Sequence, residues 1–116
     1  MRCANYDAIL VEPRSRDEMT DVTYEWYSHN IWIGLKFSTQ ENSFVWLSDR
    51  SLPSFILPWD IGEPDRYVGC GCNDDCVVTN RNLLWDTTCG ERLARVVCET
   101  GEHKDFIYQS ETTRVV

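Results

Sequence analysis

The first forty residues change from a strand pattern to a helix pattern. The apolar run at residues 9–11 is short enough for a buried strand, and Pro13 ends it. An amphipathic helix follows, because a capping pair is followed by apolar residues at helical spacing. These residues are Ser15, Glu18, Met19, Val22 and Trp26. We expect the apolar face of this helix to lie in the core.

Strand patterns dominate from residue 31 onward. Runs of β-branched or aromatic residues at 31–35 and 44–47, bounded by polar turns, predict two strands. Shorter runs at 76–78, 83–85 and 93–98 predict three more. Between them, residues 52–75 keep neither period and contain three prolines, and a loop this long in a compact domain is usually functional. The polar residues 100–116 predict a disordered tail.

Length and charge restrict the classes of function. A chain of 116 residues with 42% hydrophobic content fits one domain with one core. A formal charge of −8 disfavours nucleic acid and anionic membrane surfaces as partners. No apolar stretch approaches the roughly 20 residues of a membrane span, and the region after Met1 lacks the apolar run of a signal peptide. We therefore expect no membrane insertion by this chain and no export signal within it.

Six cysteines indicate a disulfide frame and an oxidising, extracellular compartment. With no export signal, this favours a piece of a longer secreted or membrane-attached protein. A zinc site at Cys70, Cys72 and Cys76 is the alternative, but no second cysteine pair or histidine pair accompanies this cluster. Catalysis finds little support, because His29 and His103 are isolated and no motif pairs a nucleophile with a base. We predict a binding protein that is not an enzyme.

Several motifs occur together in the order of one known family. They are Trp-Ile-Gly-Leu at 32–35, Trp46 with Ser48-Asp49, Trp59 with Gly-Glu-Pro-Asp at 62–65, Cys76-Val77, Trp85-Asp86, Cys89 and Val97-Cys98-Glu99. In this order the chain closely resembles the C-type lectin-like domain, and the resemblance covers residues 3–99. It assigns residues 1–99 to one domain and leaves 100–116 as the tail.

The resemblance implies an α+β fold in which two helices flank a small antiparallel sheet with a long ligand loop. It also implies the disulfides Cys3–Cys98 and Cys76–Cys89. The family's first strand is missing or truncated here, because Cys3 is nearly terminal, so an open edge is expected at residues 93–98. Cys70 and Cys72 have no place in the core pairing, and their partners stay open.

The resemblance also implies a site for calcium and sugar. The positions that match the family's ligands are Glu63, Asp65, Asp74 and Asp86. Carboxylate oxygens are the ligands that calcium prefers, and the family holds the bond before Pro64 in the cis form. The segment from Trp85 to Cys89 is one residue shorter than the family motif, so Asp86 stands for one ligand where the family has two.

A carbohydrate-binding module that is calcium-dependent through Glu63-Pro64-Asp65 is the leading interpretation, with a carbohydrate or glycoprotein as partner. The matched positions contain only acceptors, whereas sugar-binding members also carry a side-chain amide at the loop. A second interpretation is therefore a calcium-independent protein-interaction module on the same fold.

Overall fold

The fold was analysed in a computed structural model, which describes residues 3, 8–66, 75–89, 94–100 and 105–113, with side chains of the last segment described to Tyr108. The order of elements is β1 (Ile9–Leu10), α1 (Arg16–Thr23), β2 (Ile31–Ser38), β3 (Ser43–Trp46), β4 (Cys76–Asn80), β5 (Leu83–Thr87), β6 (Ala94–Glu99) and β7 (Phe106–Thr113). Each predicted strand is present, and β7 is an addition.

Within these residues the strands form one sheet with the order β1-β6-β2-β4-β5, while β3 also pairs with β2 and β7 with β6. All pairs are antiparallel except β2 with β6, which is parallel through Ile31 opposite Arg95. The predicted α+β class is therefore confirmed with a mixed sheet rather than a purely antiparallel one. The β4–β5 hairpin, with Val77 opposite Asp86, forms the side of the sheet next to the long loop.

Helix α1 begins where the capping pair predicts. The backbone N–H of Glu18 donates to Ser15 Oγ at 3.1 Å, and the Glu18 carboxylate accepts from the N–H of Arg14 at 2.8 Å. Met19 is buried as expected, but the helix ends at Thr23, so Trp26 packs on the core from beyond it. Of the two predicted helices, the described residues contain this one.

The predicted disordered tail is wrong for Phe106–Thr113. This segment pairs with β6, with Ile107 opposite Cys98, so the β6 edge that was expected to lie open carries a strand. The Tyr108 hydroxyl donates to the Val22 carbonyl at 2.8 Å, and its ring lies edge-on to Trp26 at 4.9 Å. A three-residue apolar run followed by polar residues carries too weak a pattern to reveal an edge strand that depends on tertiary contacts.

Two disulfides brace the sheet as the resemblance implied. Cys3 is bonded to Cys98 with a Cα–Cα distance of 5.5 Å, and Cys76 to Cys89 with 5.0 Å. The second bond uses the thiol of Cys76, which excludes the zinc alternative that needed it as a ligand. Cys70 and Cys72 lie outside the described residues.

Gly34 has a packing role in the Trp-Ile-Gly-Leu strand. A Cβ at this position would lie 2.8 Å from Glu12 Cγ and 3.0 Å from the Leu10 carbonyl oxygen. The buried Glu12 carboxylate fills this space and accepts from Arg14 Nη2 at 2.8 Å and from the Ser48 hydroxyl at 2.7 Å. Burial of a charge requires such partners, so glycine here makes room for a buried carboxylate that is paired with the partly exposed Arg14.

Candidate functional site

The long loop is held against β5 at its middle. The N–H of Leu84 donates to the Pro58 carbonyl at 2.9 Å, and the N–H of Asp60 donates back to the Leu84 carbonyl at 3.1 Å. Trp59 lies between them and packs on Phe44, with ring centroids 5.0 Å apart. These contacts place the next part of the loop beside the end of β5, where Asp86 lies.

A turn then brings the acidic side chains back toward the sheet. Glu63 N–H donates to the Asp60 carbonyl at 2.9 Å, and Gly62 has a φ of +83°, which favours glycine. The Glu63–Pro64 bond is cis, as the resemblance implied. Glu63 is half-buried, whereas Asp65 is exposed.

Asp86 ties the far end of this turn to the sheet. Its side chain is buried, and its two carboxylate oxygens accept from the backbone N–H groups of Asp65 at 2.9 Å and Arg66 at 2.7 Å. Carboxylate oxygens of Glu63, Asp65 and Asp86 all lie within 4.8 Å of one another. The structure thus brings together three of the four predicted site residues, and Asp74 lies outside the described residues.

The clustering changes the titration of Glu63. Burial, a hydrogen bond with the Asp86 carboxyl and the nearby charge of Asp65 raise the pKa of Glu63 from 4.5 to about 7. Burial is the largest of these causes. Near neutral pH the ion-free cluster therefore keeps a proton on Glu63 in part of the molecules, and a cation would take the place of that proton.

The cluster fits a calcium ion in spacing and in chemistry. Two oxygens bound to one calcium at about 2.3–2.6 Å lie at most about 5.2 Å apart, and the 4.8 Å limit meets this condition. Three carboxylates supply fewer than the six to eight oxygens that calcium takes, so water or ligand hydroxyls would complete the set. Asp86 keeps free lone pairs, because an ionised carboxylate accepts about four hydrogen bonds or metal contacts.

Arg66 is a neighbour of the site that the motif pattern does not indicate. Its guanidinium lies 3.4 Å above the ring centroid of Phe37 and 3.2 Å from an oxygen of Asp75. The signal in the sequence was its place directly after the Glu-Pro-Asp motif, but its two partners belong to distant parts of the chain. Arg66 therefore fixes the end of the loop to β2 and to Asp75.

The sequence profile of the family described as the Lectin C-type domain matches residues 1–100. The chain belongs to the C-type lectin domain family. Curated relatives of this C-type lectin domain include asialoglycoprotein receptor 2 of Rattus norvegicus, 27% identical over 91% of this chain and 35% of the relative. Another is the low affinity immunoglobulin epsilon Fc receptor of Mus musculus, 33% identical over 84% of this chain and 28% of the relative. The chain thus spans about a third of the length of these relatives.

Solved structures agree with this C-type lectin fold. The carbohydrate-recognition domain of the human scavenger receptor C-type lectin has a TM-score of 0.72 and 28% identity, covering 83% of this chain and 74% of that domain. The cow C-type carbohydrate-recognition domain of CD23, solved in the presence of a GlcNAc2Man3 oligosaccharide, has a TM-score of 0.68 and 30% identity, covering 84% and 72%. The predicted family and fold are confirmed.

Membership places the acidic cluster in a known context. C-type lectin domains typically bind calcium and are generally not enzymes. Among the described residues no helix is both long enough and apolar enough to cross a membrane.

Proposed function

We propose that this C-type lectin domain binds one calcium ion through Glu63, Asp65 and Asp86, with Asp74 as a fourth ligand, and presents it to a carbohydrate. The observation that carries the proposal is the convergence of three carboxylates within 4.8 Å on a loop that Asp86 holds in place. Asp86 acts twice in this proposal, since it both positions the loop and offers a ligand oxygen.

Calcium and the side chains would have different roles at this site. When bound, calcium supplies an open coordination position for sugar hydroxyls. Glu63 and Asp65 accept hydrogen bonds from those hydroxyls, and both are acceptors only. Because no side-chain amide is present among the three described ligands, each hydroxyl would leave one hydrogen bond unmade there. We expect calcium to bind well and the sugar to bind weakly at this loop.

The proposed partner is a glycan or glycoprotein outside the cell. Two disulfides support an oxidising compartment. One relative is by name an asialoglycoprotein receptor, and the CD23 domain was solved in the presence of an oligosaccharide. Both observations support a glycan as the ligand class.

Thermal unfolding with and without calcium tests the metal part of the proposal. At about 10 mM calcium and a Kd of about 10⁻⁴ to 10⁻³ M, binding to the folded state stabilises it by about 1.4 to 2.7 kcal/mol. The melting temperature should rise accordingly in wild-type protein and much less in Glu63→Gln. Glu25→Gln is the matched control, because Glu25 is exposed and lies after α1. A melting temperature that does not respond to calcium would contradict the proposal.

A glycan array tests the sugar part. We expect at least one glycan class to be retained more strongly in calcium than in a chelator. Binding to no glycan, together with a clear calcium shift, would leave the metal site intact and remove carbohydrate as its ligand.

Recognition of a protein is the second candidate function, and the exposed apolar side chains of the long loop favour it. Leu52, Ile56 and Ile61 are 56%, 85% and 98% exposed, and one relative is by name a receptor for an immunoglobulin. This function needs no metal. Binding of a protein partner that survives both a chelator and removal of glycans would favour it over the first.

A further inference from the structure

A cleft lies against β5, on the face of the strand opposite to the Asp86 side chain. Consecutive side chains of a strand point to opposite faces, so Trp85 turns away from the acidic cluster while Asp86 turns toward it. The cleft has a volume of about 350 Å³ and is lined by Asn30, Asp60, Asn80, Arg81, Leu83 and Trp85. Small-molecule sites usually have volumes of about 300–1,000 Å³.

Hydrogen bonds of backbone and side-chain groups fix the polar walls of this cleft. The N–H of Arg81 donates to the Tyr27 carbonyl at 2.7 Å. The amide of Asn80 donates to the Ser28 carbonyl at 3.3 Å and to the side-chain oxygen of Asn30 at 2.9 Å. The β4–β5 hairpin is therefore tied to the segment before β2, and the walls keep their spacing without a ligand.

Hydrogen-bonding capacity remains for a ligand. The side-chain oxygen of Asn80 accepts no hydrogen bond from the described residues, but it is shielded from solvent, so the ligand would bind the more exposed groups of the cleft. Asp60 adds acceptor oxygens, and Arg81, which is exposed, adds guanidinium donors. Trp85 is half-buried and contributes an aromatic wall.

This combination selects among ligand classes. A sugar hydroxyl both donates and accepts, so it needs acceptors and donors at one place, and the cleft has both. Asp60 and Arg81 carry opposite charges, which favours a neutral ligand over an ion. The formal charge of −8 further disfavours anions.

We propose that the cleft lined by Asn80, Arg81, Asp60 and Trp85 binds a neutral saccharide directly, without calcium. The proposal does not depend on the calcium site, because none of these four side chains belongs to it. Saccharide binding here persists in a chelator, whereas binding at the acidic loop does not.

The test is a titration of the ¹⁵N-labelled full chain in a chelator with three probes: methyl α-mannoside, methyl β-galactoside and N-acetylglucosamine. The readouts are the side-chain amide signals of Asn30 and Asn80 and the indole N–H of Trp85. At least one sugar should shift all three signals saturably, with the same affinity in Glu63→Gln. If no probe shifts them, or if the shifts require calcium, the proposal is wrong.

Matched variants locate the binding. Arg81 has a positive φ of 51°, so Arg81→Gly removes the guanidinium without backbone strain. Loss of one hydrogen bond should weaken the sugar by about 2- to 12-fold. Arg50→Gly is the control, since Arg50 is also exposed and has a φ of 59°, and it should leave affinity unchanged. If both Arg81→Gly and Asp60→Asn bind the sugar with wild-type affinity, the sugar lies elsewhere and the proposal is wrong.

Discussion

Two neighbouring residues of β5 face two polar regions that contain different chemical groups. Asp86 faces the acidic loop, where the three described carboxylates lie within 4.8 Å of one another. Trp85 faces a cleft that contains two amides, one carboxylate and one guanidinium. The turn from Asp60 to Glu63 connects the regions, since Asp60 lines the cleft and its carbonyl accepts from Glu63.

The difference separates two tasks that a lectin site usually combines. A set of acceptors is suited to a hard cation, while a mixture of donors and acceptors is suited to hydroxyl groups. We infer that the loop holds the metal and that much of the hydroxyl-recognition chemistry lies in the cleft. Each variant below changes the loop region and leaves the residues of the cleft unchanged.

The largest effect is expected for Asp86→Asn. The change removes a ligand charge and leaves one of the two N–H groups of Asp65 and Arg66 without its acceptor. Most of the calcium stabilisation of about 1.4 to 2.7 kcal/mol should be lost. Thermal unfolding in calcium and in a chelator measures this difference.

Asp21→Asn on the exposed side of α1 is the control for Asp86→Asn and should keep the full calcium response. A full calcium response in Asp86→Asn would show that the ion lies elsewhere.

Asp65→Asn should strengthen sugar binding at the acidic loop and so make its chemistry more like that of the cleft. The change gives the loop an amide donor while keeping a side-chain oxygen for the metal. One additional hydrogen bond of about 0.5–1.5 kcal/mol should raise calcium-dependent affinity for methyl α-mannoside by about 2- to 12-fold. Calorimetric titration measures it, and unchanged sugar affinity in the presence of bound calcium would show that the missing amide is not the limiting factor.

Arg66→Gln has a smaller effect and tests how the loop is held. The ion pair with Asp75 is partly exposed, and the stack on Phe37 is the second contact. We expect the free energy of unfolding to fall by up to about 1 kcal/mol, measured by urea denaturation. Arg50→Gln, an exposed change, should stay within about 0.5 kcal/mol of wild type. Equal values for the two variants would mean that Arg66 contributes nothing to the fold.

The last effect is a pH dependence of the calcium-free protein, which we expect to be small because solvent screens the partly exposed Glu63. The folded-state pKa of Glu63 is raised from 4.5 to about 7, so between these values the folded state binds a proton that the unfolded state releases. The stability from this group is fully present below pH 4.5 and is lost as the pH rises through about 7. The melting temperature of wild type should therefore fall between these pH values more than that of Glu63→Gln. Parallel profiles would contradict the shifted pKa.

The sequence predicted those parts of the fold whose signals are local or belong to the family. Strands β2 to β6, the start of α1 and both disulfide pairs agree with the prediction. Strand β7 was missed, because its polar residues carry no pattern without the β6 edge beside them. The end of α1 was placed too late, since Trp26 keeps helical spacing while packing from a turn.

The candidate site shows the same limit. Glu63, Asp65 and Asp86 were selected from motif order, but the two N–H groups held by Asp86 are a tertiary feature. Asn30 and Asn80 were not selected, because they lie fifty positions apart and meet only through the pairing of β2 with β4. Glu12 was also missed. Its burial depends on the space that Gly34 leaves beside it, which is a tertiary feature.

The most direct test of the separation is a calcium titration followed by amide NMR. We predict saturable shifts of the backbone N–H signals of Asp65 and Arg66, with a Kd of about 10⁻⁴ to 10⁻³ M. The side-chain amide signal of Asn80 should move much less. Shifts at Asn80 that match those at Asp65, or no saturable shift at Asp65 and Arg66, would show that calcium does not bind at the acidic loop alone.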